Sequence, residues 1–261
     1  MVIKLGDKNE GSIEKPFWQA EWHNIKFKNL DITLFADKLA SSDFYLSFYT
    51  KLFSTYKNVE SLPPDWLINK TATAEAIEKE IGQNAAVLSY GCGIGFVENQ
   101  LARFRPDLSI TAFDFVETAA RWIKRDLYNI TYTRTVQDGD KYEVIYLCQV
   151  LYALSFSDSV DLLKSLSKHL KNNGKLILIN TSITDEENRE VKLQKSVKQK
   201  LITQLKALIR PIYRFIFPTK KIQFWGWERN NDRYIEIATA AGLKQINIYS
   251  KANQAFIILG K

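Results

Sequence analysis

The chain has 261 residues, 46% of them hydrophobic and 25% charged, a composition typical of a folded globular protein that excludes a disordered, collagenous or disulfide-rich one. No run reaches the roughly 18 apolar residues of a membrane-spanning helix, and with two cysteines and no secretory signal pattern we expect a cytoplasmic protein. The net charge is +7, but ten Lys and Arg against one acid fall between positions 189 and 221, so the rest of the chain is close to neutral.

The first 82 residues show no clear strand pattern and are rich in aromatic side chains. Apolar residues recur every three or four positions from Phe44 to Tyr56, which predicts an amphipathic helix. A second helix is predicted over Thr71–Ile81, with Gly82 ending it. We therefore predict that residues 1–82 form a mainly helical N-terminal cap over the strand tips.

From residue 83 onward, short apolar runs alternate with helical patterns. The predicted strands are Ala85–Tyr90, Ser109–Phe113, Ile130–Val136, Tyr142–Cys148, Lys175–Asn180, Gln245–Tyr249 and Ala255–Leu259. The predicted helices between the first five strands are Phe96–Phe104, Val116–Tyr128 and Ser159–Leu170. This alternation predicts an α/β fold, with a doubly wound, mostly parallel seven-stranded sheet over residues 83–261 whose last strand is antiparallel. A basic helical insertion is expected at about 185–226.

The first of these strands runs into a glycine-rich turn that contains Gly91, Gly93 and Gly95 and precedes a helix. That arrangement is typical of a ligand lying against a helix N-terminus, although a simple tight turn has the same pattern. A dinucleotide fingerprint needs a third glycine at position 96, where the chain has Phe96. The next strand is followed by Asp114, which the parallel topology places beside the turn, where a carboxylate can accept both hydroxyls of a ribose. The alternative is that Asp114 caps the following helix.

In these features the sequence resembles the class I S-adenosylmethionine-dependent methyltransferase family. The likeness covers roughly residues 83–182 and 223–261, and the matching segments are Val87–Gly95, Asp114, Tyr142–Leu154, His169–Leu176 and Ala241–Leu243. It implies a Rossmann-like methyltransferase fold, S-adenosyl-L-methionine as the cofactor, and methyl transfer as the reaction.

By position, the resemblance implies that eight residues contact the cofactor. They are Tyr90, Gly91, Gly93 and Gly95 in the glycine turn, Asp114 at the ribose, Phe115 on the adenine, Asp138 at the adenine amino group and Gln149 near the methionyl end. One position departs from the family, which usually has an acid two residues before the first glycine, where this chain has Ser89. The departure leaves open how the cofactor's ammonium group is held. A catalytically degenerate cofactor-binding or scaffold protein is the alternative to an enzyme.

The chemistry of methyl transfer asks a protein mainly to align the acceptor with an already activated methyl group and to exclude water. A hydroxyl acceptor also benefits from a general base. Tyr152, after the fourth strand, is the candidate catalytic residue, although packing also explains a single tyrosine. His23 is a candidate substrate-binding residue with a structural role as the alternative, and we expect His169 to be structural. Two separated histidines and two separated cysteines predict no metal site.

The aromatic segment Gln223–Arg229 indicates the acceptor class. Trp225 offers a flat platform for a sugar, and Arg229 offers donors to an anionic or hydroxyl group. This segment and the basic stretch before it resemble methyltransferases of surface-polysaccharide and lipopolysaccharide pathways, so we expect a sugar or glycan acceptor, with a small metabolite as the alternative. RNA methylation is less favoured, because no proline-containing signature follows the fourth strand and no nucleic-acid-binding module is recognisable.

The basic stretch 189–221 has an amphipathic pattern of its own. The apolar positions at helical spacing are Val197, Leu201, Leu205, Leu208, Ile212 and Ile216, and Lys and Arg residues lie on the opposite side. Such a helix predicts peripheral association with an anionic membrane surface on the cytoplasmic side. Packing of the apolar face on the domain itself, with solvated charges, explains the pattern equally well.

Overall fold

The computed structural model describes residues 11–181 and 222–261, apart from the side chains of 118–120. The strands are β1 (Glu14–Gln19), β2 (Glu21–Trp22), β3 (Ile25–Lys26), β4 (Ala86–Tyr90), β5 (Ser109–Phe113), β6 (Ile130–Thr133), β7 (Tyr142–Cys148), β8 (Leu170–Asn180), β9 (Gln223–Arg229), β10 (Lys244–Lys251) and β11 (Gln254–Gly260). The α-helices are α1 (Ser42–Thr55), α2 (Pro64–Glu78), α3 (Phe96–Phe104), α4 (Phe156–Lys168) and α5 (Asn231–Ala240).

A seven-stranded sheet in the order β10-β11-β8-β7-β4-β5-β6 forms the centre of the molecule. Strands β4 to β8 are mutually parallel, and β11 lies antiparallel between β8 and β10. The predicted α/β fold with a mostly parallel, doubly wound sheet and an antiparallel last strand is therefore confirmed. The strand order reverses between β4 and β7, and ligands of such sheets bind outside the carboxyl ends of the strands at this switch point.

Helices cover both faces of the sheet, which explains why its central strands are mostly apolar on both faces. Neighbouring residues of β4 point to opposite faces, so Val87 joins the apolar cluster that contains Leu101 of α3, whereas Leu88 joins the cluster that contains Leu163 of α4 and Ile237 of α5. All five side chains are fully buried. The packing fixes the glycine turn after β4 relative to the loops after β5 and β7.

The N-terminal part contains the two predicted helices and, in addition, strands. β1 pairs antiparallel with β9, from Glu14 opposite Arg229 to Gln19 opposite Gln223, a strand that the sequence pattern did not indicate within the predicted mainly helical cap. The local sequence carries no signal for this pairing, because the partner strand lies about two hundred residues further along the chain. Helix α2 also begins earlier than predicted, with Pro64 at its first position, where a proline lacks only an N–H that would be unpaired anyway.

The predicted helix over Val116–Tyr128 is a second difference, because the structure has only a short 3₁₀ helix at Glu117–Trp122. Asn99 of α3 explains the early end. Its side-chain amide donates to the carbonyl of Trp122 and accepts the N–H of Lys124, at 2.8 and 2.9 Å, so those two backbone groups are bound outside a helix.

The predicted insertion at about 185–226 falls mostly on residues that the structure does not describe, and the predicted basic amphipathic helix lies wholly outside the described residues. The last part of the predicted insertion differs from the prediction, because the segment Gln223–Arg229 is strand β9. Within 11–181 and 222–261, none of the helices has the length and apolar character needed to cross a membrane.

Candidate functional site

Two adjoining cavities lie at the carboxyl ends of β4, β5 and β7, at the switch point of the sheet. The larger has a volume of about 410 Å³ and the smaller about 180 Å³. Both are lined by Tyr45, Tyr49, Gly91, Gln149 and Tyr152, so the glycine turn and the loop after β7 separate them. Of the predicted site residues, Gly91, Gln149 and Tyr152 therefore lie at the junction.

The glycine turn packs too closely for side chains at two of its positions. The N–H groups of Gly91 and Cys92 both donate to the carbonyl of Phe113 in β5, at 2.8 and 2.9 Å. Gly91 has φ +79°, and a Cβ there would lie 2.6 Å from Cγ2 of Val150. Gly95, at φ +75°, is the N-cap residue before α3 and packs on Ile123, but it lines neither cavity. Gly91 thus shapes the site, whereas Gly95 serves the packing of the turn.

Asp114 supplies a buried carboxylate to the larger cavity. Its Oδ2 accepts the N–H of Gly93 at 2.9 Å and its Oδ1 accepts the N–H of Val116 at 3.0 Å, so the side chain does cap the next turn as well as line the cavity. Burial raises the pKa of Asp114, and the two backbone hydrogen bonds oppose that rise. Each oxygen keeps a further lone pair for a hydroxyl group.

Aromatic side chains form the other walls of the larger cavity. Tyr90 stacks on Phe113 with ring centres 4.3 Å apart. Phe115 is 48% exposed, and the ring of Tyr45 meets it edge-on at 5.6 Å. An exposed ring beside a carboxylate matches the needs of a nucleoside, which has a flat base and a ribose with two hydroxyls.

The smaller cavity is walled on one side by the glycine turn and the start of α3, and on the other by the N-terminal part of the chain and by Trp225 of β9. The aromatic residues from the N-terminal part are Trp22, Tyr45, Phe48, Tyr49 and Trp66. Trp225 is 8% exposed and stacks on both Phe27 and Tyr152. The predicted aromatic platform at Trp225 therefore lies at the site, but most of its surface is covered by other rings.

Tyr152 and Tyr45 are hydrogen-bonded to each other where the two cavities meet. Burial raises the pKa of Tyr45 to about 12 and the pKa of Tyr152 well above its ordinary value. Both hydroxyls are therefore protonated at neutral pH. The geometry suits Tyr152 to hydrogen bonding and packing, and not to removing a proton.

Glu98 is a site residue that the sequence analysis missed. It lies in the first turn of α3, is 1% exposed and lines the smaller cavity. Its Oε1 accepts hydrogen bonds from the hydroxyls of Ser89 and Tyr146, each at 2.6 Å, whereas its Oε2 has no partner among the described residues. Burial raises the pKa of Glu98, against those hydrogen bonds and the charge of Lys70. The available signal was the missing acid at Ser89 together with a glutamate shortly after the glycine turn.

Lys70 of α2 brings the opposite charge to the same cavity. Its ammonium group donates to Sγ of Cys148 at 3.2 Å and lies 5.9 Å from the ring centre of Trp66.

Within 11–181 and 222–261, no group of three or more His, Cys, Asp and Glu residues is arranged to hold a metal ion.

Four predicted site residues line neither cavity, namely Gly95, Asp138, His23 and Arg229. Asp138 is on an exposed turn and lines neither. His23 has φ 38° and lines neither cavity, and its carbonyl accepts the hydroxyl of Tyr56 at 2.7 Å. Its neighbour Trp22 is the residue that reaches the smaller cavity. The roles of Asp138 at the adenine and of His23 at the acceptor therefore stay predictions, without support from the lining of these cavities.

Arg229 was predicted to bind the acceptor, and this prediction is wrong. Its side chain is fully buried, and its guanidinium donates to Glu14 at 2.6 Å and to the carbonyls of Leu151 and Leu154 at 2.6 and 2.7 Å. The residue therefore ties the loop after β7 to the β1–β9 ribbon. The loop carries Tyr152 and separates the cavities, so Arg229 shapes the site without touching it.

Comparison with known proteins gives one family match and many structural matches. The sequence profile described as "Methyltransferase domain" matches residues 67–247. No curated protein matches the chain by sequence. Among solved structures, the fold is similar to that of CalO1, a methyltransferase in calicheamicin biosynthesis, in its SAH-bound form, with 15% identity, a TM-score of 0.55, and coverage of 84% of this chain and 58% of that one.

Two further structures show the same similarity of fold. A putative O-methyltransferase from Nostoc punctiforme has 13% identity and a TM-score of 0.59, with coverage of 88% of this chain and 64% of that one. Human N-acetylserotonin methyltransferase in complex with SAM has 17% identity and a TM-score of 0.52, with coverage of 85% and 56%. The chain therefore spans between a half and two thirds of the length of these proteins.

Proposed function

This chain belongs to the methyltransferase domain family, and we propose that it is an S-adenosylmethionine-dependent methyltransferase whose acceptor is a hydroxyl group of a small molecule. One observation carries the proposal. The cavity beside Asp114 meets, at Gly91 and Gln149, a second cavity with aromatic walls. A donor and an apolar acceptor bound on the two sides of this junction would face each other.

The residues of the larger cavity fit the adenosine part of the cofactor. Asp114 would accept hydrogen bonds from the ribose hydroxyls, and Phe115 and Tyr90 would line the adenine. Gly91 lines both cavities without a side chain, so a ligand can approach its backbone closely. When bound, S-adenosylmethionine supplies a methyl group that its sulfonium has already activated.

The chain's own part in the reaction is alignment and exclusion of water. The aromatic walls would hold a flat acceptor by stacking and keep water from the methyl group. The protonated hydroxyls of Tyr152 and Tyr45 would donate hydrogen bonds that orient the acceptor oxygen. Two of the similar folds are described as a mitomycin 7-O-methyltransferase and a putative O-methyltransferase, which supports oxygen as the acceptor atom.

A sugar or glycan is the second candidate acceptor. The tryptophans Trp22 and Trp66 on the wall of the smaller cavity support it, because indole rings pack well on the apolar face of a sugar. The burial of Arg229 removes the group that we expected to bind an anionic part of such an acceptor. Peripheral membrane association stays a prediction on residues 189–221.

Mass spectrometry tests the acceptor class directly. The full chain would be incubated with S-adenosylmethionine and a panel of hydroxylated aromatics, nucleotide sugars, glycans and RNA, and each acceptor examined for a gain of one methyl group. We expect transfer to hydroxylated small molecules, and much slower transfer by Asp114→Ala protein when S-adenosylmethionine is limiting. Transfer to sugars alone would select the second candidate, and transfer to RNA alone would contradict both.

A further inference from the structure

The buried carboxyl group of Glu98 is only half satisfied. Two hydroxyl donors, from Ser89 on β4 and Tyr146 on β7, converge on Oε1, and Oε2 has no partner among the described residues although it is fully buried. Leaving a buried acceptor without a donor costs about 1–3 kcal/mol, and more when the group is charged. A side chain held in this state by two well-made hydrogen bonds is positioned for a donor that arrives with a ligand.

The smaller cavity is also charged in a specific way. Of the described residues that line it, Glu98 and Lys70 are the ones that carry charge, and their signs are opposite. They come from different elements, α3 and α2, and the ammonium of Lys70 also donates to Sγ of Cys148 at the end of β7. The remaining walls are mostly apolar, so a ligand with a single charge would leave one of the two groups uncompensated.

The methionine end of the cofactor carries both charges, an α-ammonium and an α-carboxylate on one carbon atom. We propose that Glu98 binds the α-ammonium group through Oε2 and that Lys70 binds the α-carboxylate. This inference rests on the proposed function, because it assigns one end of the same cofactor. It answers the question raised by Ser89, whose hydroxyl here holds the acid that α3 supplies in place of a strand acid.

The placement of Glu98 supports an ionised role at the moment of binding. The first turn of α3 carries the positive end of the helix dipole, which favours a negative charge there. The ammonium of Lys70 acts in the same direction. A ligand ammonium on Oε2 would add the charge-assisted hydrogen bond that the free protein lacks.

Calorimetry with two ligands separates this role from a structural one. S-adenosylhomocysteine has the amino-acid end, whereas 5′-methylthioadenosine shares the adenosine and the thioether but lacks that end. We expect Glu98→Gln to weaken S-adenosylhomocysteine binding about 10- to 100-fold, the range for a hydrogen bond between charged groups, and to change 5′-methylthioadenosine binding less than about twofold. Lys70→Met should show the same selectivity.

Matched controls use the same substitutions at exposed positions. Glu75→Gln changes a surface glutamate of α2 that pairs with Lys251, and Lys79→Met changes an exposed lysine just after the same helix, so neither should alter the affinity of either ligand. Circular dichroism would show that each variant folds. If Glu98→Gln does not fold, Lys70→Met alone decides the question.

The failures of the two proposals differ. Equal weakening of both ligands, or unchanged binding of S-adenosylhomocysteine by the folded variants, would overturn the assignment of Glu98 and Lys70. Wild-type protein that binds neither ligand at millimolar concentration would instead contradict the use of S-adenosylmethionine itself, and with it the assignment.

Discussion

The two cavities hold their carboxylates in different ways. In the larger cavity, both oxygens of Asp114 accept backbone N–H groups, from Gly93 and Val116, so the path of the main chain fixes the carboxylate. In the smaller cavity, the hydroxyls of Ser89 and Tyr146 hold one oxygen of Glu98 and leave the other without a partner. The position of Asp114 is therefore fixed by the path of the main chain, which the fold determines. The position of Glu98 depends instead on how the side chains of β4, β7 and α3 pack in this particular chain.

The walls of the two cavities also come from different parts of the chain. Strand ends and the loops that follow them build most of the larger cavity. The N-terminal part and β9 close the smaller one, through rings such as Trp22, Trp66 and Trp225. We infer that the strand ends and the turns after them bind the adenosine of the cofactor, and that the aromatic rings of the N-terminal part contact the acceptor beside the amino-acid end that Glu98 and Lys70 bind.

The largest expected effect concerns the loop that the two cavities share. Arg229→Met would leave Glu14 and the carbonyls of Leu151 and Leu154 without their donor, so we expect a loss of about 3–5 kcal/mol in the free energy of unfolding, measured with urea. Arg103→Met, at an exposed position of α3, should cost less than about 1 kcal/mol. A fully stable Arg229→Met protein that fails only to bind acceptor would restore Arg229 as a binding residue.

The next effect tests the backbone-held carboxylate. Asp114→Ala removes a charged acceptor of two ribose hydroxyls and should weaken binding of S-adenosylhomocysteine and of 5′-methylthioadenosine alike, by about 2–3 kcal/mol in calorimetry. Asp138→Ala is the matched control, because this exposed aspartate lines neither cavity and its loss should leave both affinities unchanged. The opposite ranking of the two variants would mean that the nucleoside binds elsewhere.

A third effect distinguishes the side-chain-held carboxyl by its pH dependence. The pKa of Glu98 is raised by burial, so the folded protein gains stability from this group below its ordinary pKa and loses it as pH rises through the raised value. Ser89, Tyr146 and Lys70, which face Glu98 from β4, β7 and α2, reduce but do not reverse this rise.

Without ligand, Glu98→Gln should therefore be more stable than wild type at neutral pH, with the difference vanishing on acidification below the ordinary pKa of a glutamate. Thermal unfolding of both proteins across this range measures it. The opposite result would be a Glu98→Gln protein that is less stable than wild type at neutral pH and equally stable at acidic pH. It would show that the ionised carboxylate is already well compensated in the free protein.

The smallest expected effect is at Tyr152. Tyr152→Phe keeps the ring that stacks on Trp225 but removes the hydroxyl bound to Tyr45, so we expect a loss of up to about fivefold in kcat/KM for the acceptor with unchanged cofactor affinity. A loss of several orders of magnitude, with a shifted pH profile, would instead assign Tyr152 a direct part in proton transfer.

The sequence predicted those parts of the molecule that regular patterns and chain topology determine. Strand β5, helix α3 and the position of Asp114 follow from apolar periodicity and from the order of strands in a parallel sheet. Strand β1 was missed, because its partner β9 is distant in the chain and its own pattern is weak.

The side-chain roles beyond Asp114 were harder to predict. Glu98 and Arg229 are charged residues that the sequence gives no reason to bury. Glu98 is buried because hydroxyls of β4 and β7 reach it, and Arg229 because two carbonyls of the loop after β7 accept its donors. Such contacts form only when distant elements pack together, so residue spacing does not reveal them.

A structure of the full chain with bound S-adenosylhomocysteine tests the division between the two cavities most directly. The account predicts the ribose hydroxyls within hydrogen-bond distance of Asp114 in the larger cavity, and the amino-acid end in the smaller one, with its ammonium at Oε2 of Glu98 and its carboxylate at Lys70. An amino-acid end that points away from Glu98, or a nucleoside outside the cavity beside Asp114, would contradict it.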